Sequence, residues 1–207
     1  MDSDRVHSLS ESCCCMMVYP IGGSGQRLVF ATSVIAHLQY HRQRRWWHRE
    51  AGGQLFARFS LPDILIEEAT GPRRSDRRTQ TSYEPNRRAE QREIFSRHQR
   101  GLHFIGDWHT HAESIPKPSM RDADSMSELV AKSEHALNGF VLVIVGTDPL
   151  PDGLYVALSD RKQSVALQPE LFTKTGSKSA ERLPAQAAEL PSSQHSGSRS
   201  RGTRRFI

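Results

Sequence analysis

Two histidines, a serine and an aspartate stand at fixed offsets in this sequence: Gly106-Asp107-Trp108-His109-Thr110-His111, seven residues, then Ser119-Met120-Arg121-Asp122. The stretch from His103 to His111 reads as a β-strand, and side chains two apart on a strand share a face. Both imidazoles therefore point one way, with Trp108 and Thr110 pointing the other. Two imidazoles side by side are half of a zinc site, and Asp122, in the first turn of the helix expected to follow, can add a carboxylate oxygen. Three protein ligands leave a fourth tetrahedral position for water, the pattern of a catalytic zinc and not a structural one. Such a water needs a base, and the best upstream candidate is Glu50, followed by Ala51-Gly52-Gly53 just before an expected strand; the two glycines would let backbone and substrate approach closely. Ser119 stands beside the ligands, where its hydroxyl could donate to a developing oxyanion. Taken singly, these patterns have ordinary uses: Ser119-x-x-Asp122 is also a helix-capping pattern. Their conjunction points to chemistry.

The elements that must position these residues can be read on either side of them. Leu28 to Phe30 is a short strand, and Thr32 or Ser33 can cap a helix running to about Arg42. Leu55 to Phe59 and Ile64 to Ala69 are strands separated by a Leu61-Pro62-Asp63 turn. Gly71 to Arg78 reads as a loop and Thr79 to Tyr83 as strand-like. Pro85 and Asn86 open a polar helix that stops near Gly101. Pro118 and Ser119 start a helix to about His135. Phe140 to Val145 is an apolar run without alternation, as in a strand buried on both faces. Leu154 to Leu158 follows as a strand, and residues 163–172 add a last one. Strands and helices mixed in this way imply one α/β domain of three layers with a mixed sheet.

The chain has 207 residues and a formal net charge of +5. Residues 173–207 hold seven basic and two acidic side chains, which leaves 21 of each in the first 172. The basicity thus belongs to a tail, which argues against a dedicated nucleic-acid-binding domain. Residues 42–100 carry fourteen arginines against eight acids, read as a solvated face with ion pairs. Trp46-Trp47 beside them could stack on a base, but is expected to anchor a helix end in the core. No stretch reaches the roughly 18 apolar residues of a membrane span. The three cysteines, Cys13, Cys14 and Cys15, are adjacent and cannot build a disulfide framework, which suits a reducing cytoplasm. The organisation expected is a loose leader at 1–17, a folded domain at 18–172 and a disordered basic tail at 173–207.

Glu50, His109-Thr110-His111, seven residues, Ser119, two residues and Asp122 together resemble the JAMM motif of the JAB/MPN-domain zinc metalloproteases. The resemblance covers roughly residues 18–170. Ala69-Thr70-Gly71-Pro72 and Ser82-Tyr83-Glu84-Pro85 are further similar to the JAB peptidases of bacterial CBASS anti-phage operons, related to integrative-conjugative-element JAB proteins. The resemblance implies an MPN (cytidine-deaminase-like) α-β-α sandwich. It implies one zinc per chain on His109, His111 and Asp122, Glu50 as general acid/base, and Ser119 holding the active-site water or oxyanion. It implies hydrolysis of an amide at the C-terminus of a conjugated protein: in the CBASS case a CD-NTase, attached to targets by an E1–E2-like partner. Where the family pattern has proline after the second histidine, this sequence has Ala112; proline there contributes no ligand, so metal binding is expected to survive. Other readings are a JAMM peptidase for another ubiquitin-like or sulfur-carrier substrate, a non-catalytic MPN interaction module, and a nucleic-acid binder using the arginines. For the peptidase, the expected substrate is an extended tail lying in a groove at a strand edge near Glu50.

The tail has little to bury against the entropy of ordering it. Truncation after residue 172 is therefore expected to leave the melting temperature unchanged, as a thermal scan of both lengths would show.

Overall fold

All six residues of the run Phe140–Val145 are buried. Val141, Val143 and Val145 join a large apolar cluster on one face of a sheet, while Phe140, Leu142 and Ile144 join a smaller one on the other. A strand covered on both faces has no side on which polar residues are needed, which is why the run does not alternate. The computed structural model describes residues 17–133 and 137–170. The expected leader up to Met16, its cysteines, His135 and the basic tail lie outside the described residues.

Among the described residues, ten strands and three α-helices follow in chain order: β1 (Met17–Pro20), β2 (Arg27–Phe30), α1 (Thr32–Tyr40), β3 (Gly52–Ser60), β4 (Asp63–Ala69), β5 (Arg77–Arg78), β6 (Tyr83–Glu84), α2 (Arg87–His98), β7 (His103–Thr110), α3 (Met120–Lys132), β8 (Phe140–Val145), β9 (Leu154–Ser159) and β10 (Ser164–Ala166). Eight strands form one sheet in the order β1-β2-β4-β3-β7-β8-β9-β10, and β5 pairs with β6 separately. The pairs β2/β4 and β7/β8 are parallel and the other neighbours antiparallel, so the sheet is mixed as expected.

Helix α1 lays Val34 and Leu38 into the cluster that holds Val141, Val143 and Val145. On the opposite face, α3 lays Met126 and Val130 onto Phe140, Leu142 and Ile144. Phe104 packs in that second cluster and stands beside Phe56, over which α2 places the Arg97 guanidinium 4.8 Å from the ring centre. The result is helix, sheet, helix: the α-β-α sandwich.

Strand β7 changes phase part-way. Leu55 pairs with Gly106 and Phe56 with Phe104, which leaves Ile105 as an extra residue, a β-bulge. Phe104 faces α3 and Ile105 faces α1. Beyond the bulge Trp108 is again on the α1 side, so Asp107 and His109 fall on the α2/α3 side. Gly106 makes this possible: its φ is +149°, and a Cβ there would sit 1.9 Å from the Val141 carbonyl oxygen.

Several expectations are corrected. The sequence carries no sign of strand β1, whose first residue, Met17, falls in the expected leader; Val18 and Tyr19 are buried in it, and four residues ending in proline carry too short a pattern to read. Helix α1 is capped at Ala31 without a side-chain bond, so Thr32 and Ser33 are helical residues. Thr79 to Ser82 is a turn closed by Thr79 N–H donating to Ser82 O (2.9 Å), and only Tyr83 and Glu84 are strand. Trp46 and Trp47 do not anchor a helix in the core; they are 78% and 50% exposed. Strand β7 lies between β3 and β8, and although the β3/β4 ladder stops at Leu55, Glu50 N–H donates to Thr79 O and Glu50 O accepts from Arg78, so the expected open strand edge near Glu50 is covered by the chain itself. The arginines do form ion pairs, among them Arg97 and Arg100 with Glu68 and Arg73 with Glu93. No helix among the described residues is long and apolar enough to cross a membrane.

Gly106→Ala is expected to destabilise by about 3 kcal/mol, because backbone and not a flexible side chain occupies the Cβ position. Urea unfolding of the variant measures it.

Candidate metal centre and its cavity

Strand β7 ends at Thr110, and His111 N–H donates to Val145 O of β8 (2.9 Å), which holds the second histidine in line with the first. His109 Nε2 and His111 Nε2 lie 3.2 Å apart. Asp122 closes the triangle: Oδ1 is 3.1 Å from His109 Nε2 and Oδ2 is 3.5 Å from His111 Nε2. One ligand atom from each residue falls within a 4.8 Å span, a grouping that could hold a metal ion.

Asp122 is delivered by the start of α3. Ser119 is the N-cap and accepts from Asp122 N–H (3.2 Å), while Asp122 Oδ2 accepts from both Ser119 N–H and Ser119 Oγ–H (2.7 Å each). The Ser-x-x-Asp pattern is therefore a cap that also orients the carboxylate facing the histidines. The hydroxyl expected to meet an oxyanion here donates to that carboxylate. Burial pushes the Asp122 carboxyl up, but hydrogen bonds with His109, His111 and Ser119 hold it well below the usual carboxylate range. The same contact with Asp122 raises His111, against its burial.

Glu50 reaches the same cavity from β3. Gly52 pairs with His109, and Thr110 N–H donates to Ala51 O (2.8 Å). Continued one step, that register sets Glu50 opposite His111 and on the histidines' face. Glu50 lines the cavity with His109, His111, Ser119 and Asp122. Burial raises its pKa above the ordinary glutamate value, with the two histidines opposing and Asp122 adding to the rise. The spaces at Gly52 and Gly53 are filled by the protein itself: a Cβ at Gly52 would lie 2.5 Å from the Tyr83 ring, and one at Gly53 would lie 1.7 Å from Thr70 O. These glycines admit the chain's own neighbours and not a substrate.

Three contributors were missed in the sequence. Thr110 turns its hydroxyl to the α1 side, where it accepts from Ala51 N–H (2.9 Å) and donates to Gln43 Oε1 (3.2 Å). Buried Gln43 in turn donates to His48 O and Gln80 O (3.2 and 3.0 Å). No pattern in the sequence marks Gln43. Asp107, one strand step before His109 on the same face, also lines the cavity. Its Oδ1 is shut off from solvent without a hydrogen-bond partner among the described residues. Burial pushes its carboxyl up to about 7, with Glu90 adding to the rise and Arg87 and Arg73 opposing it. Its place in the Gly-Asp-Trp-His run was the available signal.

The loop after His111 is held without proline at Ala112. Thr147 N–H donates to Glu113 O (2.8 Å) and Asp148 N–H to Ser114 O (3.2 Å). These bonds tie the loop to the segment after β8.

Residues 32–159 match the profile of the prokaryotic homologs of the JAB domain. The chain belongs to this family. Among curated relatives, a protein of Enterobacter hormaechei subsp. hoffmannii named "CD-NTase/cGAS isopeptidase" is 30% identical over 48% of this chain and 57% of its own length. A Pseudomonas aeruginosa protein of the same name is 31% identical over 59% of this chain and 79% of its own. The match thus spans little more than half of the first relative. In fold, the chain is similar to a solution structure of a Desulfitobacterium hafniense protein, with a TM-score of 0.50 and 17% identity over 66% of this chain and 87% of that one.

Thr110→Val would leave the Ala51 N–H and Gln43 Oε1 unpaired in the interior of this JAB domain. It is expected to cost about 1–3 kcal/mol for each unpaired group, and Thr110→Ser clearly less. Chemical denaturation of both variants checks the order.

Proposed function

We propose that this JAB-domain protein is a zinc-dependent isopeptidase that hydrolyses the amide joining a protein C-terminus to a target, and that it reverses ubiquitin-like conjugation of a CD-NTase in anti-phage defence. The observation that carries this reading is the meeting of His109, His111 and Asp122 with Glu50 in one cavity of about 610 Å³. The donor set fits zinc. Two imidazole nitrogens and a carboxylate oxygen are ordinary zinc ligands, and neighbouring ligands of a tetrahedral zinc stand about 3.3 Å apart given its bond lengths. The separations of 3.1, 3.2 and 3.5 Å match that spacing. His109, His111 and Asp122 would hold the ion and leave a fourth position open. Bound zinc supplies Lewis acidity and a water that ionises near neutral pH.

The remaining work falls to the protein. Glu50 takes the proton of the attacking water and passes it to the leaving amine; partial burial, which favours its protonated form, suits the second half of that shuttle. Ser119 keeps Asp122 oriented, as partners of ligands commonly do. A hydroxyl that turns away from Asp122 would face the cavity and the developing oxyanion. The names of the relatives support an isopeptide substrate with a CD-NTase component. On this reading an E1–E2-like enzyme makes the conjugate, and the reaction runs in the cytoplasm.

The purified protein is expected to carry about one zinc per chain by elemental analysis. His109→Ala, His111→Ala and Asp122→Ala should each lose metal and cleavage of a CD-NTase conjugate together. Full zinc occupancy in His109→Ala would overturn the ligand set. Glu50→Gln should keep its zinc and lose about 10²–10⁴-fold in rate; a residual rate within tenfold of the unaltered protein removes Glu50 from the shuttle. Ser119→Ala should retain more metal than the ligand variants and lose rate, and an unchanged rate would leave Ser119 as a cap alone.

A further inference from the structure

The cavity does not end at the metal ligands. It continues back along β7 between α2 and α3, where Leu142, Met126 and Leu129 give it an apolar wall and Asp107 and Glu90 lie among its lining. Asp107 is two residues from His109, about 7 Å along the strand. The carboxylates around it are matched elsewhere. Glu90 takes Arg87 at 3.0 Å, and Arg73 is shared among Glu93, Asp76 and Glu90. Neither guanidinium bonds Asp107, whose inner oxygen has no donor among the described residues. Of the cations that line the pocket, Arg87 pairs with Glu90, Arg121 with Glu84 and Lys132 with Glu128, so none of them is matched to Asp107.

An apolar sleeve ending at an unmatched carboxylate suits one class of ligand, a long aliphatic stem tipped with a cation. We propose that the pocket between α2 and α3 is a specificity site for a lysine or arginine side chain of the polypeptide substrate, with Asp107 as its anionic partner. The inference rests on the peptidase reading for its substrate, but the pocket itself does not depend on turnover.

The test has two arms, both on the zinc-loaded full chain. In the first, n-butylammonium and neutral 1-butanol are titrated and followed by NMR shifts of the residues lining the pocket. The cation should bind at least tenfold more tightly than the alcohol, and Asp107→Asn should erase that ratio. In the second, conjugates carrying lysine or norleucine at each of the positions flanking the junction are compared. At one position lysine should be preferred at least tenfold in kcat/KM, and Asp107→Asn should bring the ratio near one. Leu129→Trp, which fills the sleeve and leaves the carboxylate, should do the same and covers the case in which the Asp107 variant does not fold. Cation binding without cleavage of any conjugate would keep the pocket and overturn the peptidase reading. Cleavage with a lysine-to-norleucine ratio near one at every position, or a cation-to-alcohol ratio that Asp107→Asn and Leu129→Trp leave unchanged, would overturn the pocket.

Discussion

The pairing of Ala51 with Thr110 holds the two halves of the site at a fixed separation. Thr110 lies between the two histidines, and Ala51 follows Glu50 directly. Their backbones are joined by one hydrogen bond, and the Thr110 hydroxyl adds a second to the same Ala51 residue. Because side chains alternate across a strand, pinning Thr110 on the α1 face also pins His109 and His111 on the other. Gln43 backs the hydroxyl and binds the carbonyls of His48 and Gln80, which places the segment before Glu50 and the rim of the cavity in the same network. A small displacement of reacting groups can cost two orders of magnitude in rate. The polar contacts most able to prevent it are thus buried behind the histidines, on the face that the cavity does not see.

The carboxylate of the cluster is held by a different device. Asp122 is the N3 residue of α3, and a carboxylate there is favoured by the helix dipole and by the unpaired N–H groups of the first turn. Reciprocal bonds with Ser119 fix its rotamer before any ion arrives. Met126 and Val130 fix the helix in turn by packing on β8. The same strand β8 receives β7 on one edge and ties down His111, so the apolar run Phe140–Val145 aligns all three members of the cluster while contributing none.

The cluster of His109, His111 and Asp122 was legible in the sequence because metal chemistry needs rare residue types at spacings set by strand and helix geometry. His-x-His and Ser-x-x-Asp are such spacings. Glu50 was legible only through its glycine neighbours, and the reason offered for them was wrong: they make room for Tyr83 and Thr70 and not for substrate. The strand edge was likewise misjudged, because sheet order is set by crossovers of sequence-distant strands, which local patterning does not encode. The bulge at Ile105 was invisible for a related reason. Without it, strict alternation would put Ile105 on the same face as Asp107, and only the partner strand reveals the extra residue. Gln43 could not have been found at all, since a glutamine after a helix carries no pattern until the fold buries it.

Alanine at position 112 shows how such constraints substitute for one another. A proline fixes one backbone angle at its own position and removes a donor. Here the loop from Ala112 to Pro118 is restrained at several points instead. His111 is bonded to Val145, Glu113 to Thr147 and Ser114 to Asp148, and Glu113 Oε2 accepts from Lys117 N–H (3.2 Å). Pro116 and Pro118 restrict the approach to Ser119. The ends of the loop are His111 and the cap of the helix that carries Asp122, so its shape sets how Asp122 meets His109 and His111. With its start bonded to Val145, its middle to Thr147 and Asp148, and its end to Asp122 through Ser119, the entropy that a proline would have removed at one residue is removed across the loop.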